Sequence, residues 1–128
     1  MRILIDTHTF LWTAVGSHQL SVNATNLFLD TQNELYLSVA SLWEIAIKCS
    51  LGKLVFQKPI ESYILDILQE NTIQLLSIDF RHVMRVTTLP LHHRDPFDRL
   101  LISQAIEEKI PLLSCDTTLD AYAIERLW

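Results

Sequence analysis

The chain has few of the residues that break or cross-link a fold. Its 128 residues include only 2 cysteines, 2 glycines and 4 prolines. Two distant cysteines exclude a disulfide framework and a C-x-x-C motif, and the scarcity of glycine and proline excludes collagen-like and low-complexity segments. Glycine-rich phosphate loops need closely spaced glycines, whereas Gly16 and Gly52 lie far apart. No apolar run approaches the ~18 residues that a membrane span requires.

Positive charge is also scarce, because 10 lysines and arginines stand against 15 aspartates and glutamates, which gives a net charge of −5. Such a chain is not expected to bind nucleic acid through clustered cations, unless its acids hold a divalent cation. The length predicts a single domain over residues 1–128. We expect Cys49 and Cys115 to be reduced and buried among apolar neighbours. The short apolar run before Asp6 does not have the form of a signal peptide, so we expect a cytoplasmic protein.

Short apolar runs alternate with segments of helical period along the whole chain. Strands are predicted at 3–5, 34–37, 72–78 and 111–115, with a short edge strand within 124–128. Helices are predicted to follow caps or first-turn residues at Thr7, Ser21, Ser38, Pro59, Asp79 and Asp95. Continuous apolar strands separated by helices are typical of a parallel sheet covered on both faces. The predicted fold class is therefore α/β, with a central, mainly parallel sheet of four to five strands.

Four acidic residues from separate segments are predicted to meet at one edge of this sheet. Asp6 ends the first strand and Asp116 follows the fourth. Glu44 lies in the early turns of the helix after the second strand, and Asp98 lies in the first turn of the helix before the fourth. Right-handed crossovers bring the carboxyl ends of parallel strands to one edge, where α/β folds place their sites.

Each of these acids also has a simpler structural interpretation. Asp6 could favour a helix N-terminus, and Glu44 could close a capping box with Ser41. Asp98 could be a first-turn acid, and Asp116 could form an Asx turn. Two carboxylates ~4 Å apart repel by about 4 kcal/mol at an effective dielectric constant near 20, so a convergent set needs protons or a cation. Oxygen ligands favour Mg²⁺ or Mn²⁺ over Zn²⁺.

The ordered motifs resemble those of PIN-domain nucleases, and in particular the VapC-type toxins of toxin–antitoxin pairs. The segments that carry the resemblance are Leu4–His8, Leu37–Ser38, Trp43–Ile45, Asp95–Ile102 and Leu113–Asp116. The resemblance covers almost the whole chain and keeps the order of the motifs. It implies an endoribonuclease that depends on Mg²⁺ or Mn²⁺, binds a cognate antitoxin protein and often forms a homodimer.

The same resemblance implies the roles of the four acids. Asp6, Glu44, Asp98 and Asp116 match the family's catalytic and metal-binding positions. The implied reaction is hydrolysis of an RNA phosphodiester by a metal-activated water, which leaves 5′-phosphate and 3′-hydroxyl ends. An alternative is a catalytically inactive PIN-like binding module. A haloacid-dehalogenase-like phosphatase is disfavoured, because it needs a second aspartate where His8 stands.

Several polar neighbours have both a functional and a structural interpretation. Thr7, Ser38 and Ser114 could orient the carboxylates through hydrogen bonds or simply cap helices and strand ends. His92 and His93 could contact RNA or metal, but exposed loop histidines are more often only solvated.

The cations and the aromatic residues are equally ambiguous from sequence. Five cations could flank the site and bind phosphates, or lie on solvated helix faces; they are Lys48, Lys53, Lys58, Arg94 and Arg99. Four aromatic residues could form a partner groove, namely Trp12, Trp43, Phe56 and Tyr63. For Trp43 we expect burial in the core.

Overall fold

A five-stranded parallel sheet forms the centre of the computed structural model, which describes residues 1–128. Its strands are β1 (Arg2–Ile5), β2 (Glu34–Ser38), β3 (Gln74–Leu76), β4 (Leu112–Leu113) and β5 (Arg126–Leu127). They lie in the order β3-β2-β1-β4-β5, and every neighbouring pair is parallel. The predicted α/β fold class is confirmed. Because all strands point the same way, their carboxyl ends share one edge of the sheet.

Six α-helices connect and cover the strands. They are α1 (Thr7–Val15), α2 (Val22–Leu29), α3 (Val39–Ser50), α4 (Ile60–Glu70), α5 (Phe80–Arg85) and α6 (Pro96–Glu108). Two 3₁₀ turns follow α5 and β4, at Val86–Thr88 and Thr117–Ala121. None of these helices is both long and apolar enough to cross a membrane.

Alternation along β1 divides the core between the two faces of the sheet. Ile3 and Ile5 point into one fully buried cluster, to which α1 to α4 contribute. Leu4 points into the other cluster, where it packs with Ile102 of α6 and Leu112 of β4. Burial of each such side chain contributes ~1.5–3 kcal/mol. Helices therefore cover both faces of the sheet, as the apolar strands predicted.

The start of α1 corrects one prediction. Asp6, rather than Thr7, is the N-cap, and its Oδ1 accepts a 2.8 Å hydrogen bond from the backbone N–H of Thr9. Thr7 is already helical, and its hydroxyl donates to Ser41 Oγ at 2.9 Å. Asp6 has the extended backbone (φ −74°, ψ 168°) that an N-cap needs, because it directly follows β1. Asp6 is thus the single residue that joins the end of β1 to the start of α1.

Two further predictions need correction. The third strand is shorter than residues 72–78, because Thr72 adopts φ 53° and its N–H still bonds to Gln69 O at the end of α4. The prediction that both cysteines are buried is wrong, since Cys115 is exposed and Cys49 is only partly buried. Cys115 lies where the chain leaves the sheet after β4, so the apolar residues before it do not cover it. Both thiols are free.

Candidate active site

Three of the four predicted acids line one cavity at the carboxyl edge of the sheet. Asp6, Asp98 and Asp116 surround a space of about 100 Å³, together with His8 and Cys115. Asp6 comes from the end of β1, Asp98 from the first turn of α6, and Asp116 from the residues after β4. Three segments that are far apart in sequence therefore deliver carboxylates to one place.

Asp6 is held rigidly by its role as the N-cap of α1. Its Oδ1 accepts the Thr9 N–H, which leaves the other oxygen without a hydrogen bond from the protein. The helix N-terminus carries a partial positive charge that favours an ionised carboxylate there. Asp6 can therefore stabilise the helix with one oxygen and offer the other to a ligand.

Asp116 is also held by hydrogen bonds, mainly from Thr118. Its Oδ1 accepts from the Thr118 backbone N–H at 3.0 Å and from the Thr118 hydroxyl at 2.5 Å. Partial burial of Asp116 opposes ionisation, but these hydrogen bonds and the nearby imidazole of His93 outweigh it and lower its pKa. Asp116 is thus a stable carboxylate at neutral pH.

Asp98 is in the opposite electrostatic situation. Burial, followed by the negative charges of Asp95, Glu44 and Asp116, raises its pKa to about 6, against a partial opposing effect of His93. Its carboxylate accepts no hydrogen bond from any protein group, although its backbone N–H donates to the Asp95 side chain. The negative charge of Asp98 is therefore uncompensated by the protein, and a bound cation would favour its ionised form.

Glu44 lies beside the cavity rather than in its wall. Its carboxylate pairs with Lys48 Nζ one turn along α3 at 3.4 Å, and its side chain is 12% exposed. Its charge nevertheless raises the pKa of Asp98, so the two carboxylates are near one another. The ligand atoms of no three of the four predicted acids lie within 4.8 Å of one another. Repulsion between the like charges favours this wider spacing.

His93 is closer to this site than the sequence indicated. Its Nδ1 lies 3.1 Å from the Tyr122 hydroxyl, and its Nε2 lies 2.8 Å from Thr118 Oγ1 and 3.7 Å from Asp116 Oδ2. Because Thr118 donates its proton to Asp116, its oxygen is left to accept a hydrogen bond from His93 Nε2. The expectation that His93 is merely solvated is wrong. No local sequence pattern could have indicated these hydrogen bonds, since they join residues that are 25 to 29 positions apart.

Arg99 does not neutralise its neighbour Asp98. Its guanidinium donates to the backbone carbonyls of Val86 at 3.1 Å, Pro90 at 3.0 Å and His93 at 3.3 Å. These bonds fix the loop before α6 against the first turns of the helix. Arg99 therefore positions the loop and is not free to bind a phosphate.

None of the three predicted hydroxyls bonds to a carboxylate. Ser38 caps α3 by accepting the Ala40 N–H at 3.0 Å, and it also donates to Gln104. Ser114 Oγ accepts the backbone N–H of Asp116 at 3.1 Å. The preference for Ser38 as the cap of α3 is confirmed, and Ser114 alone of the three bonds to the backbone of one of the acids.

Trp43 contradicts the expectation of core burial. It lies on the outer face of α3, where it is 60% exposed, while its neighbours Ser41 and Ile45 face inward and are buried. Its ring contacts Phe97 edge to face, with centroids 5.3 Å apart and an interplanar angle of 76°. The two aromatic residues directly precede Glu44 and Asp98 in sequence, so the pair lies beside the acids.

A second acidic group, which we call the paired cluster, lies away from this cavity. It contains Asp79, His82 and Glu108, whose ligand atoms all lie within 4.8 Å of one another and could hold a metal ion. Here, however, Arg81 bonds to both carboxylates at 3.1 Å. His82 is 1% exposed, accepts the Asp79 N–H at Nδ1 and contacts Glu108 through Nε2 at 2.8 Å. The cations and donors of the chain already satisfy this cluster.

Comparison with known families identifies the fold and its class. The PIN domain family model matches residues 3–125. The chain belongs to the PIN domain family, and the resemblance predicted from its motifs is confirmed.

Individual relatives are more distant. Ribonuclease VapC16 of Mycobacterium tuberculosis is 41% identical over 63 residues, which are 48% of this chain and 45% of that protein. The chain thus spans less than half the length of this curated relative. VapBC2 of Rickettsia felis, bound to a DNA fragment from its promoter, superposes with a TM-score of 0.75 at 15% identity, covering 99% of this chain and 98% of that one. VapBC-1 of Haemophilus influenzae superposes with a TM-score of 0.69 at 15% identity, covering 99% and 97%. At this identity the two structures support the fold.

Proposed function

We propose that this chain is a metal-dependent endoribonuclease and the toxin of a toxin–antitoxin pair. The observation that carries the proposal is the convergence of Asp6, Asp98 and Asp116 on one cavity, with the charge of Asp98 left uncompensated. Membership of the PIN domain family and similarity to a protein named as a ribonuclease support the same reaction. The structural roles of the single acids do not explain why the three converge on one cavity, whereas a shared role in binding a metal would.

The donor set fits Mg²⁺ or Mn²⁺. Asp6, Asp98, Asp116 and Glu44 would supply oxygen ligands directly or through water, and such ligands suit hard divalent cations. When bound, the cation would activate a water molecule and stabilise the charge that develops on the phosphodiester. Asp6 and Asp116 would give the site fixed oxygens, because hydrogen bonds to Thr9 and Thr118 hold them in place. The cation would compensate the negative charge of Asp98, which no protein group pairs.

Two partners belong to this proposal. Solved VapBC assemblies are among the structures that resemble this chain, which supports a cognate antitoxin protein as a partner here. The RNA substrate and a homodimer follow from the family resemblance, and both stay predictions.

Cleavage of total RNA with mapping of the new ends tests the proposal. We expect discrete cuts with 5′-phosphate ends in Mg²⁺ or Mn²⁺ and none with EDTA. Asp98→Asn and Asp6→Asn should each reduce the rate by about 10³-fold, since a metal contributes several kcal/mol and each tenfold in rate corresponds to ~1.4 kcal/mol. Asn is as good an N-cap as Asp, so Asp6→Asn removes a charge and keeps α1 capped.

Asp30→Asn is the matched control, because Asp30 is exposed and lies outside the cavity. It should cleave like the wild type. Products with 2′,3′-cyclic phosphate ends would contradict the proposed attack by water. A folded wild type that binds Mn²⁺ but cleaves no RNA, in any pool tested, would favour the alternative of an inactive PIN-like binding module.

A further inference from the structure

Three of the cations near the candidate active site are already engaged by the protein, whereas Arg94, in the loop before α6, is exposed. Lys48 pairs with Glu44 at 3.4 Å, and Arg99 donates only to backbone carbonyls. Arg126, on the edge strand next to β4, pairs with Asp120 at 2.8 Å and also donates to Ser114 O. The chain carries a net charge of −5, so a polyanion approaching this edge meets few unpaired cations of the protein. Binding of RNA here would therefore gain from a contribution that is not electrostatic.

An exposed aromatic pair lies where that contribution would be needed. Trp43 is 60% exposed and Phe97 is partly buried, and the rings touch edge to face. In this geometry Phe97 supports the indole, while much of the indole remains open to solvent. Leaving a large apolar side chain exposed forgoes the free energy of its burial. An exposed Trp supported by a second ring is typical of a surface that binds a partner.

The position of the pair indicates what that partner is. Trp43 precedes Glu44 on α3, and Phe97 precedes Asp98 on α6, so the rings join the same two helix segments that bring these acids close. An RNA chain that presents a phosphodiester to the acids would bring a neighbouring base close to this aromatic pair. Any unpaired base can stack on an aromatic ring, because every base has a flat face. This contact is made with the base and not with the charged phosphate.

We propose that Trp43, supported by Phe97, is the stacking platform for one unpaired base of the RNA substrate, adjacent to the bond that is cut. The proposal rests on the proposed ribonuclease function and names a binding site for that substrate. It makes Trp43 a residue for substrate binding, whereas the acids perform the chemistry.

Single-turnover cleavage of a short single-stranded RNA, cut from the mapped substrate, tests this. Trp43→Ala should raise the half-saturating enzyme concentration about 10-fold, since stacking on an aromatic ring contributes enough for a tenfold change in affinity. The maximal rate should stay within about twofold. Trp43→Phe should restore most of the affinity. Phe80→Ala is the matched control, because Phe80 is a 78% exposed aromatic residue on α5, outside the site.

An abasic substitution in the RNA makes the test specific for stacking. Removing the base at one position beside the cleaved bond should weaken the wild type about 10-fold and should weaken Trp43→Ala hardly further, because the two changes remove the same contact. Abasic substitution two or more nucleotides farther away should affect both proteins equally. The melting temperature of Trp43→Ala should match that of the wild type, as expected for an exposed residue.

Three outcomes would overturn the proposal. One is unchanged half-saturation in Trp43→Ala, and another is an additive loss with the abasic RNA. The third is a change in oligomeric state in Trp43→Ala without loss of RNA affinity, which would make the pair a protein interface. Metal-dependent cleavage by the wild type in these cases would leave the proposed ribonuclease function intact, whereas no wild-type cleavage would overturn both proposals.

Discussion

The acidic residues at the two ends of α6 lie in opposite electrostatic environments. At the last turn, the carboxylate of Glu108 pairs with Arg81 at 3.1 Å and with Arg2 at 4.0 Å, and it contacts the ring of His82 at 2.8 Å. At the first turn, Asp98 has no cation partner and lies near other carboxylates, which helps to raise its pKa to about 6. An acid at a helix C-terminus is unfavourable unless it is paired, so the pairing at Glu108 meets a structural need.

The difference is one of charge compensation between the two acidic groups. The paired cluster has three ligand atoms closer together than any three of the predicted acids, yet its charges are already compensated. The predicted acids are more widely spaced, and the charge of Asp98 among them has no partner in the protein. The proposed metal site is therefore distinguished by uncompensated charge and not by close spacing of its ligands.

Breaking the paired cluster should give the largest change in stability. His82→Ala removes a buried ring together with its hydrogen bonds to Asp79 and Glu108, and we expect it to lower the free energy of unfolding by ~3 kcal/mol. Urea denaturation followed by circular dichroism measures this. His18→Ala, at an exposed position without side-chain hydrogen bonds, should change stability by less than ~0.5 kcal/mol. A small effect of His82→Ala would mean that the cluster is not structural.

Adding a divalent cation should distinguish the two acidic groups. At a free Mn²⁺ concentration 100-fold above its Kd, the wild type should gain about 2.7 kcal/mol of stability, measured as a rise in melting temperature. Asp6→Asn should lose most of this gain, because it removes a charge from the cavity. Glu108→Gln should keep it. The reverse pattern would place the metal in the paired cluster.

Removing the charge of Asp98 should stabilise the metal-free protein by a smaller amount. The unfolded chain holds this proton with a pKa near 3.8 and the folded chain with a pKa of about 6, so the folded state binds more protons between these values. The stability of the wild type therefore falls as the pH rises from about 4 to about 6. The shift corresponds to ~3 kcal/mol, which solvent screening of this partly exposed group reduces to about 1 kcal/mol.

The matching variant is Asp98→Asn in EDTA. It should be about 1 kcal/mol more stable than the wild type at pH 7 and equally stable at pH 4, as determined by urea denaturation at both pH values. A variant that is less stable at pH 7 would show that the charge of Asp98 is compensated in the folded protein.

The sequence predicted the placement of the acids because topology alone determines it. In a parallel sheet, the residues that end β1 and follow β4 must share an edge, and the structure confirms that Asp6 and Asp116 line one cavity. Asp98 was predictable for the same reason, since α6 runs back to β4 and begins at that edge. The continuous apolar run of β1 likewise predicted helices on both faces of the sheet.

Other features were not predictable, because they depend on contacts distant in sequence. The outward position of Trp43 depends on which face of α3 the sheet covers, and the helical period places Ile45 and Trp43 on different faces without saying which one is buried. The bonds from His93 to Tyr122 and Thr118 span more than twenty residues. Arg81 and His82 on α5 reach Glu108 only because α5 packs against α6, and no local pattern predicts that packing.

The bonds of Arg99 have a consequence for how this loop can vary. Its guanidinium contacts only backbone carbonyls between Val86 and His93, and every residue type offers a carbonyl. The exposed side chains in this stretch can therefore be exchanged without loosening the anchor, so the surface of the loop can vary while Asp98 stays in place. Lysine could not replace Arg99, because a single ammonium lacks the planar fork that reaches several carbonyls at once.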